Sequence, residues 1–189
     1  MKLSHIRWLF FDLGNTLISE EKAMKERIQQ MVWAFAERSI QVSAETIERA
    51  FEEASAEFAP RLIVCALEKI ISNPSDRAFV LQRARYRKEL EEPYPEAYEL
   101  LSRLVPRYRV GVIANQSSGT EARLESYGLS PFISLCLSST EAGLEKPNHA
   151  IFQLALERAQ CKPQQAVMIG DRIDNDIRPA KSLGWKTIR

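Results

Sequence analysis

The spacing of apolar positions changes twice along the chain. Residues 6–11, IRWLFF, form a short continuous apolar run that ends at Asp12 and a glycine-containing turn. Such a run reads as a strand buried on both faces. From Glu20 to about Leu90 the apolar residues recur instead at helical intervals: Met24, Ile28, Met31, Val32 and Phe35, then Ile47, Ala50, Phe51, Ala54 and Phe58. The stretches RLIVCALEKIIS and DRAFVLQRARYRKEL continue that texture. The pattern predicts about four helices and no strand here, with Ser43 and Ser75 as N-caps and Glu45 and Asn73 at positions that favour turn and cap chemistry.

The prolines of EEPYPEAY break the helical texture, and alternation begins. Residues 96–104 read as a helix, RYRVGVIAN as a strand, and GTEARLESYG as a helix closed by Gly128. FISLCLSS, NHAIFQLALERAQ, QAVMIG, NDIRPAKSLG and WKTIR then read as strand, helix, strand, helix and final strand. Strands alternating with helices at this spacing imply right-handed βαβ units. The expected fold is α/β: a Rossmann-like, three-layer parallel-sheet core with an inserted all-helical subdomain. Residues 1–18 and 92–189 would form the core and residues 19–91 the insert.

Composition narrows the classes. The 189 residues are 45% hydrophobic and 27% charged, as expected of a globular chain, and the net charge is only +1. That balance offers no footing for nucleic acid or an acidic membrane surface. No apolar run approaches the roughly 20 residues of a membrane span, and the N-terminus does not read as a signal peptide. The expectation is a cytoplasmic protein. Cys65, Cys136 and Cys161 are odd in number and far apart, which favours free thiols over disulfides or a zinc site. Oligomeric state is not legible.

In open parallel sheets, sites form at the carboxyl ends of the strands. Those ends carry Asp12, then Asn115, Gln116 and Ser117, then Ser138 and Ser139, then Asp171. Asp12 in FFDLGNTL has two readings, since Asp-x-Gly-Asn is also ordinary turn material. In MIGDRIDNDI, Asp174 suits a helix start, where the dipole favours acids, but Asp171 is less easily explained that way. Asp171, Asp174 and Asp176 fall within six residues and repel one another unless a cation joins them. Oxygen ligands of this kind suit Mg²⁺. Lys146 in EAGLEKPNHAIF is by itself an ordinary loop lysine; beside carboxylates and a phosphoryl group it would balance charge.

Taken in order, an aspartate after the first strand, a lysine–proline before a late helix, and GLEKPNHAIF with IGDRIDNDIRPAKSLGW make the chain resemble the haloacid dehalogenase superfamily. The resemblance spans nearly the whole chain, in the subgroup with a helical cap after the first strand. It implies a hydrolase with Asp12 as nucleophile and Lys146 as the charge-balancing lysine. It further implies Mg²⁺ held by Asp12, the backbone carbonyl of Gly14 and Asp171, with Asp176 and Asn175 in support. Asn115, Gln116 and Ser117 stand where the family contacts phosphate. The implied partner is a small phosphorylated substrate.

Two positions depart from that family. Its phosphatases carry an aspartate two residues after the nucleophile for proton transfer; here that residue is Gly14. Its strand-end Ser or Thr is here Ala114, followed by Asn115. Three readings follow: a phosphatase with a substitute proton donor, a phosphatase for substrates with good leaving groups, and a weak or inactive relative that binds a phosphorylated ligand or protein partner. A dehalogenase, which needs no Mg²⁺, fits the Asp171 and Asp176 pair less well. Arg61, Arg83, Arg85 and Arg87 are candidate anion contacts in the cap, although 83, 85 and 87 cannot share one helix face.

Overall fold

In the computed structural model, residues 5–59 and 61–189 are described. The first four residues of the 1–18 range lie outside them. The chain forms two compact units, one from the described residues up to Ser19 together with Glu92–Arg189, the other Glu20–Glu91.

In the first unit, β1 (Trp8–Phe11) leads to the short β2 (Ile18–Ser19). The second unit is helical: α1 (Glu21–Glu37), α2 (Ala44–Ala56), α3 (Leu62–Ile70) and α4 (Pro74–Arg83). The first unit resumes with β3 (Glu92–Pro93), antiparallel to β2, then α5 (Pro95–Leu104), β4 (Arg109–Ala114), α6 (Thr120–Ser126), β5 (Leu135–Ser138) and α7 (Ser139–Ala142). It ends with α8 (His149–Ala159), β6 (Ala166–Ile169), α9 (Arg178–Ser182) and β7 (Lys186–Ile188). The main sheet is parallel with order β5-β4-β1-β6-β7.

β1 is continuous in apolar residues because it is central and covered on both faces. Leu9 and Phe11 point, with Val110, Val112 and Ala114, into a core that includes Ala97, Leu101 and Leu124. Trp8 and Phe10 point the other way, among Ile113, Met168, Phe152 and Trp185. Phe10 stacks on Trp8 with centroids 5.2 Å apart and meets Trp185 at 5.1 Å. Gly111 makes room for it, since a Cβ there would lie 2.7 Å from the Phe10 ring. Trp8 Nε1 donates to Ala159 O at 3.1 Å, so the buried indole keeps its bond.

The helical unit closes its own core around Ile28, Met31, Phe35, Ile47, Phe51, Leu67 and Val80. Ser43 caps α2, its Oγ accepting the Thr46 N–H at 3.3 Å. Ser75 does not cap α4. Asn73 does, accepting the Ser75 N–H at 2.9 Å, because Pro74 takes the first helical position and leaves the cap to the residue before it. α4 also stops at Arg83 instead of continuing to Leu90. Side chains from α1 intercept its backbone: Gln30 Oε1 accepts the Arg85 N–H and Arg27 Nε donates to Ala84 O. No described helix is long and apolar enough to cross a membrane. The three cysteines are free.

Candidate active site

β1 lies between β4 and β6, so the chain turns to opposite sides of the sheet from its central strand. At such a reversal the loops leaving the strand ends diverge and open a crevice. Asp12 stands at the end of β1, and its N–H donates to Ile169 O at 2.8 Å, extending the ladder to the last residue before the side chain leaves the sheet. Asn115 follows β4, and Gly170 and Asp171 follow β6.

The segment between α7 and α8 brings in Lys146. Asn115 holds its main chain in a reciprocal pair: Nδ2 donates to Lys146 O at 2.7 Å, and the Lys146 N–H donates to Oδ1 at 2.8 Å. The Lys146 side chain is 2% exposed. Nζ donates to Asp12 Oδ1 at 2.7 Å and to Asp176 Oδ1 at 2.6 Å. Asp176 is fully buried, and its Oδ2 accepts the Arg172 N–H at 3.1 Å.

Asp176 reaches this place through local backbone. The expected helix 175–184 begins instead as a wide turn, Ile173–Ile177, with the Ile177 N–H donating to Arg172 O at 3.3 Å. Pro179, which carries no N–H, sits in the first turn of α9 behind it. Single wide turns of this kind recur at functional sites. Gly170 lets the backbone pass close to Asp176, for a Cβ there would lie 2.6 Å from its Cγ. Arg172 Nε donates to Asp174 Oδ1 at 2.9 Å, and its Nη2 to the other oxygen, a two-pronged pair that braces the turn.

Asp12, Asp171 and Asp176 each present an oxygen within 4.8 Å of the others. Burial, and then the Asp12 charge, raise the Asp171 pKa. Burial pushes Asp176 up to about 6, against the pull of Lys146 and with a further push from Asp12. Burial alone would draw the Lys146 ammonium down, but the Asp12 and Asp176 carboxylates outweigh it and leave its pKa raised. Three carboxylates facing one ammonium carry an excess of two negative charges when ionised. A hard dication matches both that excess and the oxygen donors.

The structure thus brings together Asp12, Lys146, Asp171 and Asp176. Gly14 lies two residues beyond Asp12 and bridges to Ile18. Asn175 lies in the wide turn, and its side chain makes no hydrogen bond among the described residues. The Asn115 amide is occupied with Lys146. Gln116 Oε1 accepts from Arg123 Nη2 at 2.8 Å. Ser117 is exposed. The Asn115 clamp, the Arg172–Asp174 pair and the Gly170 close approach are additions that sequence reasoning missed. Only the glycine directly before Asp171 left a visible trace.

A family model for haloacid dehalogenase-like hydrolases matches residues 6–184. The chain is 28% identical over 194 residues to a glyceraldehyde 3-phosphate phosphatase of Methanopyrus kandleri, covering 97% of this chain and 83% of that protein. It is 30% identical over 197 residues to a ribulose-1,5-bisphosphate 5-phosphatase of Halopiger xanaduensis, covering 95% and 82%. Among solved structures, the HAD-hydrolase YfnB of Bacillus subtilis, described as bound to magnesium, aligns with a TM-score of 0.68 at 23% identity, over 97% of this chain and 87% of that one. That last likeness concerns the fold.

Proposed function

Because the chain belongs to the haloacid dehalogenase-like hydrolase family, and its relatives named above are phosphatases, we propose that it hydrolyses a small phosphorylated metabolite with Mg²⁺ and through a phosphoryl group carried on Asp12. The observation that carries this reading is the buried Lys146 ammonium bonded to both Asp12 and Asp176, with Asp171 beside them.

Asp12 attacks phosphorus with a carboxylate oxygen. A bond from Asp12 to phosphorus forms as the bond to the leaving oxygen breaks, and the leaving group takes the electron pair. Water then attacks the same phosphorus, releasing inorganic phosphate and restoring the carboxylate; splitting one displacement into two is ordinary covalent catalysis. Lys146 offsets repulsion between the Asp12 carboxylate and the phosphate dianion, and its position is fixed before substrate arrives. Asp176 and Asn115 hold it there, one through the ammonium and one through the main chain. Asp12, Asp171 and the Gly14 carbonyl are the residues we assign to Mg²⁺, with Asp176 and Asn175 behind them. When bound, the ion would supply Lewis-acid polarisation and a template for the phosphoryl oxygens. Asn115, Gln116 and Ser117 are assigned to the phosphate rim, with Ser117 the exposed hydroxyl among them.

Gly14 has no side chain to pass a proton. General acid catalysis is typically worth about 10²–10⁴-fold, so the rate should depend steeply on how stable the leaving group is without a proton. The test is phosphate release from acetyl phosphate, p-nitrophenyl phosphate and alkyl phosphates, with and without Mg²⁺, beside Asp12→Asn. Turnover that needs Mg²⁺, vanishes in Asp12→Asn and declines from acyl to aryl to alkyl phosphates is expected. A folded protein that turns over none of them would overturn the reading in favour of ligand binding alone.

A further inference from the structure

The helical unit carries an apolar pocket of about 360 Å³ among Met24, Phe51, Leu62, Ile63, Val64 and Tyr86. That volume is in the range of small-molecule sites. The same wall carries two guanidiniums, Arg27 and Arg61, and one carboxylate, Glu20.

Elsewhere in this unit Arg38, Lys69, Arg83 and Arg87 each meet a carboxylate, namely Asp76, Glu57, Glu37 and Glu89. Arg27 and Arg61 meet none among the described residues, as is also true of Arg49, Arg77 and Arg85, but only Arg27 and Arg61 share the wall of this pocket. Arg27 is half-buried, donates Nε to Ala84 O at 3.1 Å, and lies 6.0 Å from the Tyr86 ring centroid. Burial draws its pKa down, with only Tyr86 opposing. Arg61 is exposed; its carbonyl accepts the Cys65 N–H at 3.0 Å, but its guanidinium makes no hydrogen bond or ion pair among the described residues. A half-buried cation without a counter-charge is unfavourable, and an anion arriving with hydrogen-bond acceptors relieves it. Apolar surface beside that charge selects for a ligand with an apolar body as well.

We propose that this pocket binds a small organic anion, a carboxylate or phosphate on an apolar body, with Arg27 and Arg61 on the charge and Met24, Phe51 and Ile63 on the body. The proposal goes beyond the hydrolytic reading and does not depend on it. Full-length protein with ¹³C-labelled Met and Ile methyls is titrated with benzoate, benzyl alcohol and benzylamine. Benzoate should shift Met24 and Ile63 saturably, while the buried Met31 and the sheet residue Met168 stay still. The alcohol and the amine should bind at least about tenfold more weakly, since they lack the charge that the arginines select. Arg27→Gln and Arg61→Gln should each weaken benzoate. Arg27 also holds the Ala84 carbonyl, so Arg61→Gln, which breaks no internal bond, is the deciding variant if Arg27→Gln does not fold.

Equal shifts with benzyl alcohol, full affinity in Arg61→Gln, or movement confined to Met168 would each overturn the proposal. Failure of turnover leaves the methyl titration untouched, so the two readings fall independently.

Discussion

Lys146 is a buried cation surrounded by acids, and its contribution is set by what remains when it is removed. Lys146→Met leaves Asp12 and Asp176 without their shared counter-charge in a site where one is 13% exposed and the other 0%. Breaking one side of a buried pair typically costs about 3–5 kcal/mol, and urea unfolding should read a loss of that order. The sign with pH follows from the raised pKa of the ammonium. The stabilisation is fully present below the ordinary lysine value of 10.5 and is lost as pH rises through the higher folded value. Unfolding free energy should therefore fall above pH 10.5 in the parent protein, and Lys146→Met should lack that component of the fall. Asn115→Ala removes two bonds to the Lys146 main chain. At about 0.5–1.5 kcal/mol each, urea unfolding should show a loss of roughly 1–3 kcal/mol, with kcat reduced because the ammonium is no longer placed. Asp12 and Asp171 stand out in the sequence because each follows an apolar run with a glycine within two residues of it. The Asn115 clamp leaves no such trace: it joins two loops 31 residues apart, and their meeting depends on the order of strands in the sheet.

Elements set the distances between these residues, and the passage from β6 to α9 sets the tightest. Gly170→Ala places a methyl against the Asp176 carboxylate, and neither a buried acid nor the backbone of β6 can give way easily. Overpacking of this kind costs about 1–3 kcal/mol. Because Asp176 also holds Lys146, kcat should fall with the melting temperature; unchanged kinetics in a destabilised Gly170→Ala would separate the glycine from the site. The strands were legible because a parallel sheet covered on both faces demands unbroken apolar runs, as in β1 and β4. Helix ends were less so. Nothing in the residues after Arg83 forbids another helical turn; the chain leaves the helix because Gln30 and Arg27 bond its backbone from α1. The wide turn before α9 differs from an ordinary first turn by one residue per hydrogen bond, finer than apolar spacing resolves.

At the scale of the whole molecule, the two units differ in how far along the chain their contacts reach. Trp8 in the central strand donates to a carbonyl 151 residues on, and its backbone neighbours in β4 and β6 lie beyond the entire helical unit in sequence. Within Glu20–Glu91 the bond from Arg27 to Ala84 spans only 57 residues, and each helix supplies its own ladder. Non-local pairing must bear loop-closure entropy before it is rewarded, so a parallel sheet of this kind forms more slowly than local helices, which form in microseconds to milliseconds. Trp8 and Trp185 are buried in the sheet core, whereas Trp33 on α1 is 58% exposed. In a Trp33→Phe background, stopped-flow refolding should therefore show much of the far-UV ellipticity returning ahead of the fluorescence of Trp8 and Trp185. The helical unit would then be formed before Asp12, Asn115, Lys146 and Asp171 converge, because their positions depend on the completed order of strands. Coincident traces would instead mean that the helices gain their stability only with the sheet, and that the site and the unit inserted ahead of it form in one cooperative step.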